Sequence, residues 1–175
     1  PELAYYCSRL QSIASIAQVK HLKEANRILQ VAMASAKEGL FFKAQAFEWN
    51  DAVLVSINDA SWAGETKAVD DRVFPRRSQS GRVLVLADQN IWDGKSAQFH
   101  VLGWKSVQIT RTCRSTMQAE TQSSIHGIEA AIRIRAAIAD TRGQQTKDWE
   151  RSSASCCKLV VLTDCDSLNK YIKNP

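Results

Sequence analysis

The spacing of apolar residues changes character along the chain. In residues 1–38, Leu3, Tyr6, Leu10 and Ile13 recur at steps of three and four, and so do Leu22, Ala25, Ile28/Leu29 and Ala32. That period predicts helix. Two helices joined near residues 16–19 fit the segment, with Gly39 after Lys37 and Glu38 as the expected C-cap. Residues 40–49 read as a short strand or a connector. After Asn50 and Asp51 the period falls to two: Val53, Val55, Ile57 and Asp59 share one face, and Leu54, Ser56 and Asn58 the other. The first strand therefore ends on an acid in line with a core face, which is costly unless something pairs with the carboxylate.

Residues 65–80 are polar and irregular, and 81–87 and 98–107 read as a second and a third strand. The Asp93-Gly94 step between them is a turn signal, so two antiparallel joins follow one another. Ser115 and Gln118 have the spacing of a capping box, which opens a helix running to about residue 139. At 100° per residue Met117, Ser124, Ile128, Ala131, Ile132 and Ile138 form its apolar stripe. Glu120 lies at the stripe's edge, and His126 falls on the opposite face. Residues 140–156 are polar and read as a loop. Residues 158–164 are a continuous apolar run ending in an acid, the pattern of a strand buried on both faces and reached by a helical crossover. Residues 166–172 begin another helix. The order predicts an α/β fold with a mixed sheet: three antiparallel strands, a long helix, a parallel strand and a second helix.

Composition adds limits. The 175 residues are 45% hydrophobic and 23% charged, with seven Gly and three Pro, which suits one globular core. No run of about 18 apolar residues occurs, which excludes a membrane-spanning helix of the usual kind. Pro1 opens the chain without an initiating Met or the basic-then-apolar pattern of a secretory signal, so the chain reads as cut from something longer. Five cysteines, an odd number without Cys-x-x-Cys spacing, argue against a disulfide framework and a zinc site. They point to a reducing, intracellular setting, cytoplasmic or nuclear.

Net charge is +5, from 23 Lys and Arg against 18 Asp and Glu. Two stretches concentrate it without a single acid: Arg72, Arg76, Arg77 and Arg82 in one, Lys105, Arg111 and Arg114 in the other. Together they favour contact with phosphates.

The acids have an order too. Asp59 ends the first strand, Glu120 sits near the start of the long helix, and Asp164 ends the fourth strand. A right-handed crossover that lays strand four beside strand one brings Asp59 and Asp164 side by side, with Glu120 within reach. Three converging acids repel one another unless a divalent cation neutralises them. Oxygen-only ligands favour Mg²⁺ or Mn²⁺ over zinc, and two such ions can promote phosphodiester cleavage.

Seven short motifs occur in an order that resembles one family. Pro1-Glu2-Leu3-Ala4 through Ser8-Arg9-Leu10, and His21-Leu22-Lys23 with Arg27-Ile28-Leu29, come first. Asp59-Ala60-Ser61-Trp62-Ala63-Gly64, Arg77-Ser78-Gln79-Ser80-Gly81 and Trp104-Lys105-Ser106 follow. Ser115-Thr116-Met117-Gln118-Ala119-Glu120 and Thr163-Asp164-Cys165-Asp166-Ser167-Leu168 complete the set. The chain resembles the Pol polyprotein of copia-type LTR retrotransposons, from the reverse transcriptase thumb or connection into the ribonuclease H domain.

The resemblance implies a helical thumb remnant over residues 1–42 and a ribonuclease H-like domain over 50–175, incomplete at its C-terminus. It implies hydrolysis of the RNA strand of an RNA–DNA hybrid, with Asp59, Glu120 and Asp164 holding two Mg²⁺ and Asp59 shared between them. Asp166 is the alternative third acid. Lys105, Arg111 and Arg114 are the candidates for phosphate contacts. The rest of the polyprotein, reverse transcriptase palm and integrase, would be its covalent partner. The family's fourth acid and fifth strand have no counterpart here, so a non-catalytic nucleic-acid-binding remnant is the competing expectation. The integrase branch of the same fold orders its acids Asp, Asp, Glu, whereas the order here is Asp, Glu, Asp.

Overall fold

A computed structural model describes residues 2–63, 77–144 and 147–173. Pro1, Gly64, Arg72, Arg76, Asn174 and Pro175 lie outside the described residues. The two predicted N-terminal helices are α1 (Ala4–Ser12) and α2 (Val19–Ala34), joined through a 3-10 turn at Ala14–Ile16. The buried His21 opens α2: its Nδ1 accepts the backbone N–H of Gln18 at 2.9 Å. Helix α2 stops at Ala34, short of Gly39: the Ala36 and Glu38 N–H groups turn to carbonyls three and not four residues back, Met33 at 3.3 Å and Ser35 at 2.9 Å, while the Ser35 hydroxyl donates to the Val31 carbonyl at 3.0 Å. Gly39 is therefore not its cap. Residues 40–48 form a connector rather than a strand.

The sheet consists of β1 (Val53–Ser61), β2 (Gln79–Ala87), β3 (Phe99–Gln108) and β4 (Lys158–Leu162), in the order β3-β2-β1-β4. The first three are antiparallel neighbours, and β4 runs parallel to β1. Helix α3 (Thr116–Thr141) makes the crossover between β3 and β4, and α5 (Asp166–Lys173) follows β4. This is the mixed sheet that the periodicity predicts, in the ribonuclease H-like arrangement that the resemblance implies. Gly94, at φ 69°, closes the 3-10 turn Gln89–Asp93 between β2 and β3, where Asp93-Gly94 marks the turn. Helix α1 lies against β3, and Gln79 Nε2 in β2 donates to Ser8 Oγ at 3.0 Å.

Each face of the sheet has its own core. Leu54, Leu84 and Leu86 pack under α3 with Ala131, Ile134 and Ile138. Val53, Val55, Val85 and Ala87 pack on the other face with Val101, Val160 and Ile91. A smaller cluster of Ala60, Ile109, Cys113 and Ala119 closes the end of β1 beneath the start of α3.

Three expectations need correction. Residues 149–156 form a helix, α4 (Trp149–Cys156), where a loop was expected. Its cap is clear, since the Asp148 side chain accepts the Arg151 N–H at 3.1 Å, but it buries only Ser153 and Cys156, so no apolar period announces it. Strand β4 is half-buried to exposed rather than buried on both faces, because it forms an edge of the described sheet. The buried face of α3 is also not a stripe of large residues: it is Ala119, Glu120, Ser123, Ser124, Gly127, Ala131 and Ala139. Glu120 thus lies inside that face rather than at its margin. Among the described residues, no helix is long and apolar enough to cross a membrane, and Cys7, Cys113, Cys156, Cys157 and Cys165 are all free thiols.

Candidate metal centre

The register of β1 and β4 determines where the acids meet. Ile57 pairs with Leu162, and Asp59 and Asp164 each lie two residues beyond that pair, at the same end of two parallel strands. Both are exposed. The third acid arrives from α3. Ser115 caps that helix by accepting the Gln118 N–H at 3.2 Å, while Gln118 Oε1 reaches back to the Arg114 N–H at 2.7 Å, one residue earlier than in the standard box.

Small side chains let α3 approach the sheet. Ser123 Oγ donates to the Asp59 carbonyl at 2.8 Å and lies 2.8 Å from Ser80 Oγ, so β1, β2 and α3 meet in one buried hydroxyl chain. One turn earlier, Glu120 Oε1 accepts the backbone N–H of Ala60 at 3.1 Å. Asp59, Glu120 and Asp164 each offer a carboxylate oxygen, and these oxygens all lie within 4.8 Å of one another. The sequence-predicted triad is assembled.

Glu120 is only 3% exposed, and its Oε2 is buried without a hydrogen-bond partner. Burial pushes its carboxyl pKa up; the Ala60 N–H opposes that shift, and the charges of Asp59 and Asp164 add to it. A buried acceptor left over beside two more carboxylates is what a divalent cation would satisfy. The donors are all oxygen, the class that hard cations take. These residues therefore fit a metal ion.

The alternative acid, Asp166, is engaged elsewhere: it opens α5 and pairs with Lys170 one turn along. Of the basic residues, Lys105, Arg111 and Arg114 are exposed. Lys105 is on β3, in a shallow cleft that also includes Asp59, Trp104 and Tyr5. Arg111 and Arg114 sit on the turn between β3 and α3. Arg82 has a structural bond, its Nη1 donating to the His126 carbonyl at 2.9 Å; its side chain and His126 are part-buried, so His126 is not on a fully solvated face. Arg77 donates to Gln108 Oε1 at 3.4 Å.

No protein-family model matches the chain, and no curated protein is similar to it. The site thus rests on its own geometry. Periodicity alone missed Ser123 and Gly127, although a signal was available. Ala119, Ser123, Gly127 and Ala131 are small residues at every fourth position, which is the mark of a helix face in close approach.

Proposed function

We propose that this chain is a ribonuclease H-type nuclease that hydrolyses the RNA strand of RNA–DNA hybrids. The observation that carries the reading is the convergence of Asp59, Glu120 and Asp164 within 4.8 Å at the end of the parallel β1–β4 pair. Asp59, Glu120 and Asp164 would hold two Mg²⁺, with Mn²⁺ as a substitute and Asp59 shared. Bound cations of this kind would offset the carboxylate charge and activate water against a phosphodiester.

The chain's own residues supply placement. Ala60 fixes Oε1 of Glu120 and leaves Oε2 without a protein partner; Ser123 ties α3 to the strand that bears Asp59. Lys105, Arg111 and Arg114 would contact backbone phosphates. Hybrid would be read by groove shape and 2′-hydroxyls rather than by base sequence. The motif order supports a place in a copia-type Pol polyprotein, beside a reverse transcriptase palm and an integrase, in an intracellular setting.

The test is cleavage of a labelled RNA–DNA hybrid with Mg²⁺ or Mn²⁺, beside an Asp59→Asn control. Cleavage that the control lacks supports the reading. A folded chain that binds hybrid and never cuts it overturns the nuclease reading in favour of a binding remnant.

A further inference from the structure

The turn between β3 and α3 carries Arg111 and Arg114, two of the three exposed candidates for phosphate contact, and its ends and its middle are held differently. At one end the Ile109 N–H donates to the Ser78 carbonyl at 2.8 Å. At the other the Arg114 N–H donates to Gln118 Oε1 at 2.7 Å. The middle has one described hydrogen bond to the rest of the fold: Trp62 Nε1 donates to the Cys113 carbonyl at 3.0 Å. The Cys113 side chain is buried against Ala60, Ile109 and Ala119, which sets the depth of the turn, and its thiol donates to the Arg111 carbonyl at 3.7 Å within the turn.

Trp62 directly follows the last residue of β1, three residues after Asp59. Its hydrogen bond therefore couples the strand end that bears the first acid to the turn that bears Arg111 and Arg114. Neither guanidinium has a hydrogen bond or ion pair among the described residues. Cys113 of the turn packs with Ala60 and Ala119, the residues next to Asp59 and Glu120, which places the turn beside the acids. Trp62 remains 45% exposed, more than a core tryptophan would be.

We infer that Trp62 is a positioning residue for nucleic acid: its indole N–H, through the Cys113 carbonyl, holds the 109–115 turn so that Arg111 and Arg114 meet a polyanionic backbone beside the acids. The inference rests on the proposed nuclease reading for the identity of the ligand, but it concerns binding and not cleavage. Removing the N–H takes away the bond that ties Cys113, between the two arginines, to the end of β1, and so loosens the placement of both guanidiniums. The acids keep their own supports, since Ala60 and Ser123 are untouched.

The probe is a short RNA–DNA hybrid, titrated without divalent cation across a range of salt concentration. Trp62→Phe keeps an aromatic ring and loses the N–H. It should weaken binding and lower the slope of log affinity against log salt by roughly one to two, about one for each phosphate that is no longer neutralised. Stabilisation of the same variant by Mg²⁺ should match that of the parent chain. Adding Arg111→Gln and Arg114→Gln to Trp62→Phe should cost little more, whereas the same pair in the parent should cost about as much as Trp62→Phe alone. Should Trp62→Phe unfold, the benzothienyl analogue of tryptophan at position 62 removes only the N–H and carries the same test.

An unchanged affinity and slope in either variant overturns the inference, and so do fully additive losses. A parent chain that does not bind hybrid at all overturns it too. A parent that binds without cutting defeats the nuclease reading and leaves this one standing.

Discussion

Gly127 of α3 faces Asn58 of β1 so closely that a Cβ at position 127 would lie 1.8 Å from Asn58 Oδ1. Asn58 cannot simply turn away. It is 2% exposed, its Oδ1 accepts from Ser56 Oγ at 3.1 Å, and its Nδ2 donates to the Ser56 carbonyl at 3.2 Å. The contact sets the distance between helix and sheet, and hence how far Glu120 reaches toward Asp59.

Gly127→Ala should therefore destabilise the fold, although alanine is the better helix former by about 1 kcal/mol. Overpacking a filled interface costs about 1–3 kcal/mol, and here the crowded neighbour is a buried, hydrogen-bonded amide. Denaturant unfolding should show the net loss. The stabilisation of the variant by Mg²⁺ should fall as well, since α3 must lift and carry Glu120 with it. An unchanged midpoint would mean that the helix shifts freely.

Ser123 offers a gentler version of the same experiment. Its hydroxyl links the Asp59 carbonyl to Ser80, and both serines are buried. Ser123→Ala removes little volume but leaves the Ser80 hydroxyl without this partner, which should cost about 1–2 kcal/mol of stability. Cleavage should drop more than hybrid binding, because the bond steadies the acids rather than the cations. Equal losses in both would place Ser123 outside the site's support.

The sheet was legible because β1 has a period of two, because β2 and β3 are apolar-rich runs set off by polar, turn-forming segments, and because the capping signal at Ser115 marks the start of α3. The acid triad was legible because each member lies near an element's end, where topology brings it to the others, although β1 runs on two residues past Asp59 and β4 stops two residues before Asp164. What periodicity could not show was burial made of small or polar groups. Helix α4 buries Ser153 and Cys156, and the deep face of α3 is built from alanine, serine and glycine around Glu120. Large apolar residues are only a proxy for burial, and close packing of a helix on a strand selects against them. Strand β4 misled in the opposite direction: Leu159, Val160, Val161 and Leu162 form an apolar run, yet Val161 and Leu162 are exposed at the sheet edge.

Glu120 gives a pH dependence whose sign follows from its raised pKa. A carboxyl that holds its proton more tightly when folded favours the native state at low pH. That contribution is complete below the ordinary value of 4.5 and is lost as pH rises through the folded value. In the presence of a chelator, Glu120→Gln should raise the unfolding midpoint at pH 7 and match the parent near pH 4. Gln keeps an acceptor for the Ala60 N–H and replaces the orphaned oxygen with an uncharged donor. Adding Mg²⁺ should reverse the ranking at pH 7. A variant less stable than the parent with chelator at pH 7 would mean that Glu120 is not under electrostatic strain.

Asp164 and Asp166 lie two residues apart and can be separated by experiment. The carboxylate of Asp164 stands with Asp59 and Glu120, whereas that of Asp166 pairs with Lys170 on the surface of α5. Both members of that pair are more than 70% exposed, so the bridge is worth a few tenths of a kcal/mol at most. Asp166→Asn should leave the response to Mg²⁺ intact and barely move the unfolding midpoint. Asp164→Asn should remove most of the Mg²⁺ stabilisation and lower hybrid cleavage by about a hundredfold or more, the scale seen when one preorganised charge-stabilising group is lost. Because Asp164 is exposed, its replacement should not unfold the chain, so the loss can be read as chemistry. The opposite pattern, with Asp166 essential and Asp164 dispensable, would require α5 to turn its first residue into the cluster and would overturn the metal centre described above.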